Sequence, residues 1–169
     1  VEKTARYFAK RGYIFAFQDC RGCFMSEGLF DFFWQEGRDG YDTLDWLGKQ
    51  SWSNGAIGTT GTSYAGWTQT SLAALDPPYL TCMWVNEGPS NGYTSTVRQG
   101  GALELRFLTW LYWHAGINTN SRLKSDPDAA AMLNSADTRA VLNAMPIQWG
   151  QTALSAAPHY EKRAFDLLT

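Results

Sequence analysis

Between Ala56 and Leu75 the chain changes character at one short junction. Ala56–Thr60 is a small-residue stretch, Tyr64–Leu75 is a helix-forming run, and Gly61-Thr62-Ser63-Tyr64-Ala65-Gly66 joins them. A strand that enters a helix through so few residues must turn sharply, and small neighbours are what make room for such a turn. Gly61 stands two before Ser63, Ala65 two after it, and Gly66 one step later. A serine at the apex has its hydroxyl lifted clear of the scaffold, which attack on a carbonyl requires, so Ser63 is a candidate nucleophile. The backbone N–H of Tyr64, the residue after it, is the corresponding candidate oxyanion donor, a role worth roughly 3 kcal/mol in related sites. Gly and Ser are also ordinary turn residues, and it is the strand-to-helix placement that favours a catalytic reading over a structural one.

The surroundings supply that context. Val1, Ala5, Phe8 and Ala9 share one face of a short helix over Val1–Arg11, which Gly12 stops. Tyr13–Gln18 is a compact apolar run that reads as a strand covered on both faces, leading into the polar turn Asp19–Gly22. Tyr41, Leu44 and Leu47 mark a second helix over Glu36–Gln50, closed by Ser53-Asn54-Gly55. Ala56–Thr60 is weak as an isolated strand and gains its assignment from position. The helix Tyr64–Leu75 is stopped by Asp76-Pro77-Pro78, and Leu80–Val85 reads as another buried strand. Alternation of this kind predicts an α/β fold with a parallel sheet flanked by helices, because parallel neighbours need crossover connections.

After Tyr93 the pattern changes to helices at Leu103–Trp113 and Ala129–Leu142, the latter with Asp126 as N-cap and Pro127 at the first helical position. The predicted division is residues 1–95 for the α/β part and 96–169 for a helical, aromatic-rich part.

Composition removes several classes of function. With 16 acidic and 14 basic residues and a net charge of −2, spread without runs of either sign, the chain has no basic footprint for nucleic acid or an anionic membrane. Its longest apolar stretch, Phe107–Ile117, contains His114 and falls short of the ~20 residues a bilayer span needs. The chain opens on Val1-Glu2-Lys3 without an apolar leader pattern, which leaves localisation open. Cys20 and Cys23 have C-x-x-C spacing, but no second cysteine pair completes a four-ligand zinc site, so they and Cys82 read as free thiols or packing residues. The glycines at 55, 58, 61 and 66 lack the following Lys-Ser or Lys-Thr of a phosphate loop. Asp19 and Arg21 read as a charge-assisted pair that fixes their loop. No metal or organic cofactor is called for.

Several motifs in order now resemble one family. Asp19-x-Arg21-Gly22, Ser26-Glu27-Gly28, Asp42-Thr43 with Trp46, and Gly61-x-Ser63-Tyr64-x-Gly66 together resemble the X-prolyl dipeptidyl aminopeptidases, cocaine esterases and alpha-amino-acid ester hydrolases. The resemblance spans about residues 5 to 86, and in this family the glycine stands at the Gly66 position rather than at Ala65. It implies an alpha/beta-hydrolase fold, a Ser-His-Asp hydrolase of ester or amide bonds, and a helical cap where residues 96–169 fall. It implies also that the acid and histidine follow later strands, so that this chain reads as an internal fragment, inactive or nearly so when isolated. The order Ser63, Asp126, His159 imitates a triad but is rejected, because Asp126 has a helix-cap explanation and both later residues lie in the helical part. His114 reads as a packed or substrate-facing residue. Tyr93, Trp149 and the aromatics of Leu103–Trp113 are candidates for a pocket lining, against ordinary core packing. Glu87 is a weak candidate for binding a substrate amine. The expected partner is a small ester, an amide or a short peptide, X-Pro dipeptidyl bonds included; the alternative is a non-catalytic binding module that retains the fold.

Overall fold

The computed structural model describes residues 1–104, 106, 107, 110, 111, 143, 148–151, 153–156 and 158–168. Helix α1 spans Glu2–Ala9, within the expected Val1–Arg11, and the turn after it closes at Gly12, whose φ of +83° follows N–H bonds from Arg11 and Gly12 back to the carbonyls of Phe8 and Ala9. Tyr13–Gln18 departs from expectation. It forms no strand, and Tyr13, Ile14 and Phe17 are 64, 64 and 63% exposed. An apolar run reports a demand for burial, whereas a strand also needs a neighbour to complete its ladder, and none lies beside 13–18 among the described residues.

Helix α2, Glu36–Gly48, opens with Glu36 and Asp39 near its positive end and buries Glu36, Gly37 and Leu44. It packs on α3, Tyr64–Ala73. The approach is close: a Cβ on Gly37 would lie 2.8 Å from the Ser71 carbonyl oxygen. Strand β1, Ile57–Thr62, runs parallel to β2, Leu80–Asn86, in a register that sets Gly58 opposite Cys82 and Thr62 opposite Asn86. The crossover between them is α3, so β1, α3 and β2 form one βαβ unit as the alternation predicts.

Beyond β2, Asn91 caps the short helix α4, Gly92–Ser95, by accepting the N–H groups of Tyr93 and Thr94 at 2.9 and 3.1 Å. Strands β3, Arg98–Gln99, and β4, Ala102–Leu103, then form an antiparallel hairpin. Gly100 and Gly101, with φ of +57° and +94°, make its turn. Leu103 is thus a strand residue, not the start of a helix; helical backbone begins after it, at Arg106, Phe107, Trp110 and Leu111. A two-glycine hairpin signal, which admits positive φ at both positions, outweighs the apolar periodicity there. A 3₁₀ turn, Ala153–Ala156, precedes α5, Pro158–Leu168, in which His159 falls. Asp126, His114 and the predicted helix Ala129–Leu142 lie outside the described residues.

The end of the chain is tied to its first third. Arg163 of α5 forms a two-pronged ion pair with Asp31, with Nη2 at 2.8 Å from Oδ2, and Asp31 is only 6% exposed. Among the described residues no helix is long and apolar enough to cross a membrane.

Candidate active site

β1 delivers the chain to Ser63, and α3 takes it away at Tyr64. Ser63 has φ 60° and ψ −117°, a backbone state that side-chain-bearing residues rarely occupy. Such a conformation costs about 1–3 kcal/mol and persists only where the surroundings over-determine it. They do so at both peptide groups. Ser63 N–H donates to the Asn86 carbonyl at the end of β2 (3.0 Å), while the Ser63 carbonyl accepts from Gly66 and Trp67 at 2.8 and 3.0 Å. The residue itself stays exposed.

Absent side chains make the turn possible. A Cβ on Gly61 would lie 2.6 Å from the Cβ of Ala65, so these two positions share space for one methyl group. A Cβ on Gly66 would lie 2.5 Å from the Cα of Gly88. The glycine is needed at 66 because that residue faces the loop after β2, whereas Ala65 is exposed and its methyl group fits beside Gly61. Gln69, buried beneath, donates to the Ala65 carbonyl at 2.8 Å and accepts from the Thr59 hydroxyl at 2.9 Å, joining helix and strand. Tyr64, as the first residue of α3, has a backbone N–H with no intrahelical acceptor, beside the exposed Ser63.

The Tyr64 side chain turns inward. Its phenol donates to Glu36 Oε1 and accepts the Phe33 N–H at 3.0 Å. Burial first, then the neighbouring Glu36 carboxylate, push the phenol's pKa far up. Burial likewise raises Glu36 above its ordinary value, against the lowering effect of the Tyr64 hydrogen bond. The sequence reading missed Glu36. Its signal was a carboxylate in register with Gly40, Leu44 and Leu47 on the inward face of α2.

Aromatic side chains continue from this point. Phe33 stacks on Tyr64 at 5.0 Å and on Trp110 at 5.7 Å, and Trp67 meets its edge at 5.2 Å. Phe32, Phe33, Trp34 and Trp67, with Val97 and Arg163, line a cavity of about 280 Å³. Tyr93 and Trp149, candidates for a pocket lining against core packing, are exposed at 64 and 52%. Glu87 is exposed just after β2, at φ 52°.

The loop motifs have structural partners. Arg21 pairs with Asp39 of α2, at 3.0 Å from Nε to Oδ2 and 2.5 Å from Nη2 to Oδ1, and not with Asp19. Asp19 instead braces its own loop: its carboxylate accepts the Met25 N–H at 3.3 Å and its carbonyl the Ser26 hydroxyl at 2.7 Å. An arginine with a helix carboxylate opposite it satisfies its planar fork better than one beside a residue already engaged in a turn. Burial, reinforced by neighbouring acidic and thiol groups, raises the Cys20 thiol to about 11 and that of Cys23 to about 12, which keeps both from thiolate chemistry at neutral pH. Among the described residues no group of three His, Cys, Asp or Glu side chains is placed to hold a metal ion.

A parallel βαβ unit with a strained, exposed serine at the sharp turn where strand becomes helix defines an α/β protein. The chain belongs to the X-Pro dipeptidyl-peptidase (S15) family, whose model matches residues 1–165. It is 35% identical over 128 residues to the cocaine esterase of Rhodococcus sp. (strain MB1 Bresler), covering 73% of this chain and 22% of that protein. It is 28% identical over 123 residues to a "Putative serine esterase" of Mycobacterium bovis and equally to one of Mycobacterium tuberculosis, covering 71% of this chain and 20% of each. The chain thus spans about a fifth of the length of the curated relatives it matches.

Proposed function

We propose that the chain carries the nucleophile of a serine hydrolase acting on ester or amide bonds, with Ser63 as the attacking residue and Tyr64 N–H as an oxyanion donor. The observation that carries this reading is the backbone of Ser63, at φ 60° and ψ −117°, held at both peptide groups while the residue stays exposed. A strained, over-determined conformation of a reactive residue is a feature of catalytic sites. Family membership and the names of the esterase relatives support the same class.

In this mechanism Ser63 Oγ attacks the substrate carbonyl carbon as its proton passes to a histidine base, and the carbonyl oxygen becomes an oxyanion facing Tyr64 N–H. Collapse breaks the bond to the alcohol or amine, which leaves with the proton from the histidine. Water then attacks the acyl-enzyme, the histidine takes its proton, and the acid departs as Ser63 regains its hydrogen. The histidine and its carboxylate partner are proposed to come from outside these 169 residues, with residues 96–169 contributing to a cap over the cavity lined by Phe33 and Trp67. Small esters, amides and short peptides are the proposed substrates, and the chemistry requires no metal or organic cofactor. Hydrolysis of p-nitrophenyl acetate by the full-length protein tests this reading: Ser63→Ala is expected to remove turnover, by roughly 10⁴-fold or more. Turnover unchanged in that variant would assign the activity elsewhere, and no turnover in the wild type would favour a binding module.

A further inference from the structure

Behind the exposed serine lies a polar node that general packing does not require. Three segments meet at one phenol oxygen: Tyr64, the first residue of α3, donates to Glu36 in the first turn of α2 and accepts from Phe33 N–H. Glu36 is 8% exposed, and Phe33, like Ser63, is a non-glycine residue at positive φ, 61°. The Tyr64 ring stacks on Phe33 at 5.0 Å and lies near-parallel to Trp110 at 6.1 Å, within a cluster in which Phe33 and Trp110 also stack on each other.

A tyrosine side chain has only two torsions between its backbone and its ring, a staggered χ1 and a two-fold χ2. With the ring stacked and both hydrogen-bonding capacities of the hydroxyl in use, the Cα of Tyr64 has little freedom left. That Cα carries the N–H beside Ser63. A phenylalanine would fill the same space and stack equally well. A buried carboxylate adds a desolvation cost that an apolar residue of similar volume would avoid. The arrangement therefore gives up stability at the place where it fixes the entry of α3.

We propose that Glu36 is a positioning residue for the reaction: through the Tyr64 phenol its carboxylate fixes the first turn of α3, and with it the direction of the Tyr64 N–H toward the oxyanion. The same contact holds the Phe33 backbone where its ring lines the neighbouring cavity. The pair is assigned no contact with substrate. The proposal rests on the nucleophile reading of Ser63.

The test uses the full-length protein with Tyr64→Phe, Glu36→Leu and Glu36→Gln, measuring p-nitrophenyl acetate kinetics, labelling of Ser63 by a fluorophosphonate, and thermal unfolding. Misdirection of one oxyanion donor is expected to lower kcat and the labelling rate on the order of tenfold to a hundredfold in Tyr64→Phe and Glu36→Leu, with KM within about twofold. Glu36→Gln, which keeps an acceptor in place, is expected to recover most of the Glu36→Leu loss. The double variant Glu36→Leu/Tyr64→Phe should be no slower than either single variant. Unfolding temperature should not track these losses, because Glu36→Leu also removes a buried charge. Wild-type labelling at Ser63 together with rates within twofold of wild type in folded Tyr64→Phe overturns the positioning role alone; this variant adds no volume and decides the matter even if Glu36→Leu does not fold. Absence of wild-type labelling at Ser63 overturns the nucleophile reading and the positioning role with it.

Discussion

Gly66 and Gly88 touch backbone to backbone: a methyl group on Gly66 would stand 2.5 Å from the Cα of Gly88, and one on Gly88 would stand 2.7 Å from the Cα of Gly66. This contact seats the first turn of α3 on the loop after β2. Neither partner can yield by rotating a side chain. Gly66→Ala is therefore expected to destabilise the protein by roughly 1–3 kcal/mol, the range for forced overpacking. It should also lower the labelling rate of Ser63, since Gly66 N–H holds the Ser63 carbonyl. Denaturant unfolding compared with wild type checks the first effect; an unchanged midpoint would mean that the loop carrying Gly88 moves aside freely.

The strain at Ser63 predicts an opposition between stability and activity. Glycine adopts φ 60° and ψ −117° without the clash that a Cβ creates. Ser63→Gly should release ~1–3 kcal/mol of strain and lose ~0.4–1 kcal/mol through a more flexible unfolded chain. A net gain of about 1 kcal/mol is expected, with loss of turnover. Ser63→Ala keeps the Cβ and should remain within about 0.5 kcal/mol of wild type. Equal stabilities for the glycine and alanine variants would show that the turn stores no strain.

Arg163 and Asp31 stand 132 residues apart in sequence and form a bidentate pair. Removing the guanidinium leaves a carboxylate that is 6% exposed to fit a site built for an ion pair. Arg163 keeps 27% of its side-chain surface in water, so the loss should fall below the 3–5 kcal/mol of a wholly buried pair, at about 2–3 kcal/mol for Arg163→Met. Changing both residues, as Asp31→Leu/Arg163→Met, should restore much of it. A double variant that is less stable than the single one by the full cost of Asp31→Leu would deny coupling between the two.

Burial raises the Glu36 carboxyl, and the sign of its pH effect follows. A raised folded-state pKa means that the folded protein holds this proton more tightly than the unfolded chain. The contribution is fully present below the unfolded value of 4.5 and is lost as pH rises from there through the raised folded value. Above that window the cost of the buried charge is complete, while the nearby carboxylate of Asp39 acts in the same direction. Glu36→Gln does not titrate, so its stability relative to wild type should improve as pH increases across the window. A constant wild-type-to-variant difference from pH 4 to pH 8 would contradict this.

What could be read in the sequence was what is local. The helix after Ser63 and the strand at 80–86 carry their own signals in periodicity and bounding prolines, the strand at 57–62 follows from its position between a turn signal and Ser63, and these two strands and the helix all form. Tyr13–Gln18 was misread because burial and sheet pairing are separate requirements, and only the first is visible in the apolar run. The helix expected from Leu103 gave way to a hairpin because Gly100 and Gly101 set the backbone before apolar periodicity could. The partners Asp39 for Arg21, and Glu36 for Tyr64, lie 18 and 28 residues away. Many carboxylates stand at such distances, and only the packing of α2 on α3 selects these. The turn at Ser63 was legible through a backbone requirement, whereas the Glu36–Tyr64 contact was not, because it arises between two helices.

The central claim concerns a single oxygen atom, and covalent capture tests it most directly. Full-length protein treated with a fluorophosphonate, digested and sequenced by mass spectrometry should carry one phosphonyl adduct on the peptide that contains Ser63. Ser63→Ala, folded to the same extent by thermal unfolding, should carry none. An adduct on a different serine, or equal labelling of the alanine variant, would contradict the assignment of Ser63 as the nucleophile.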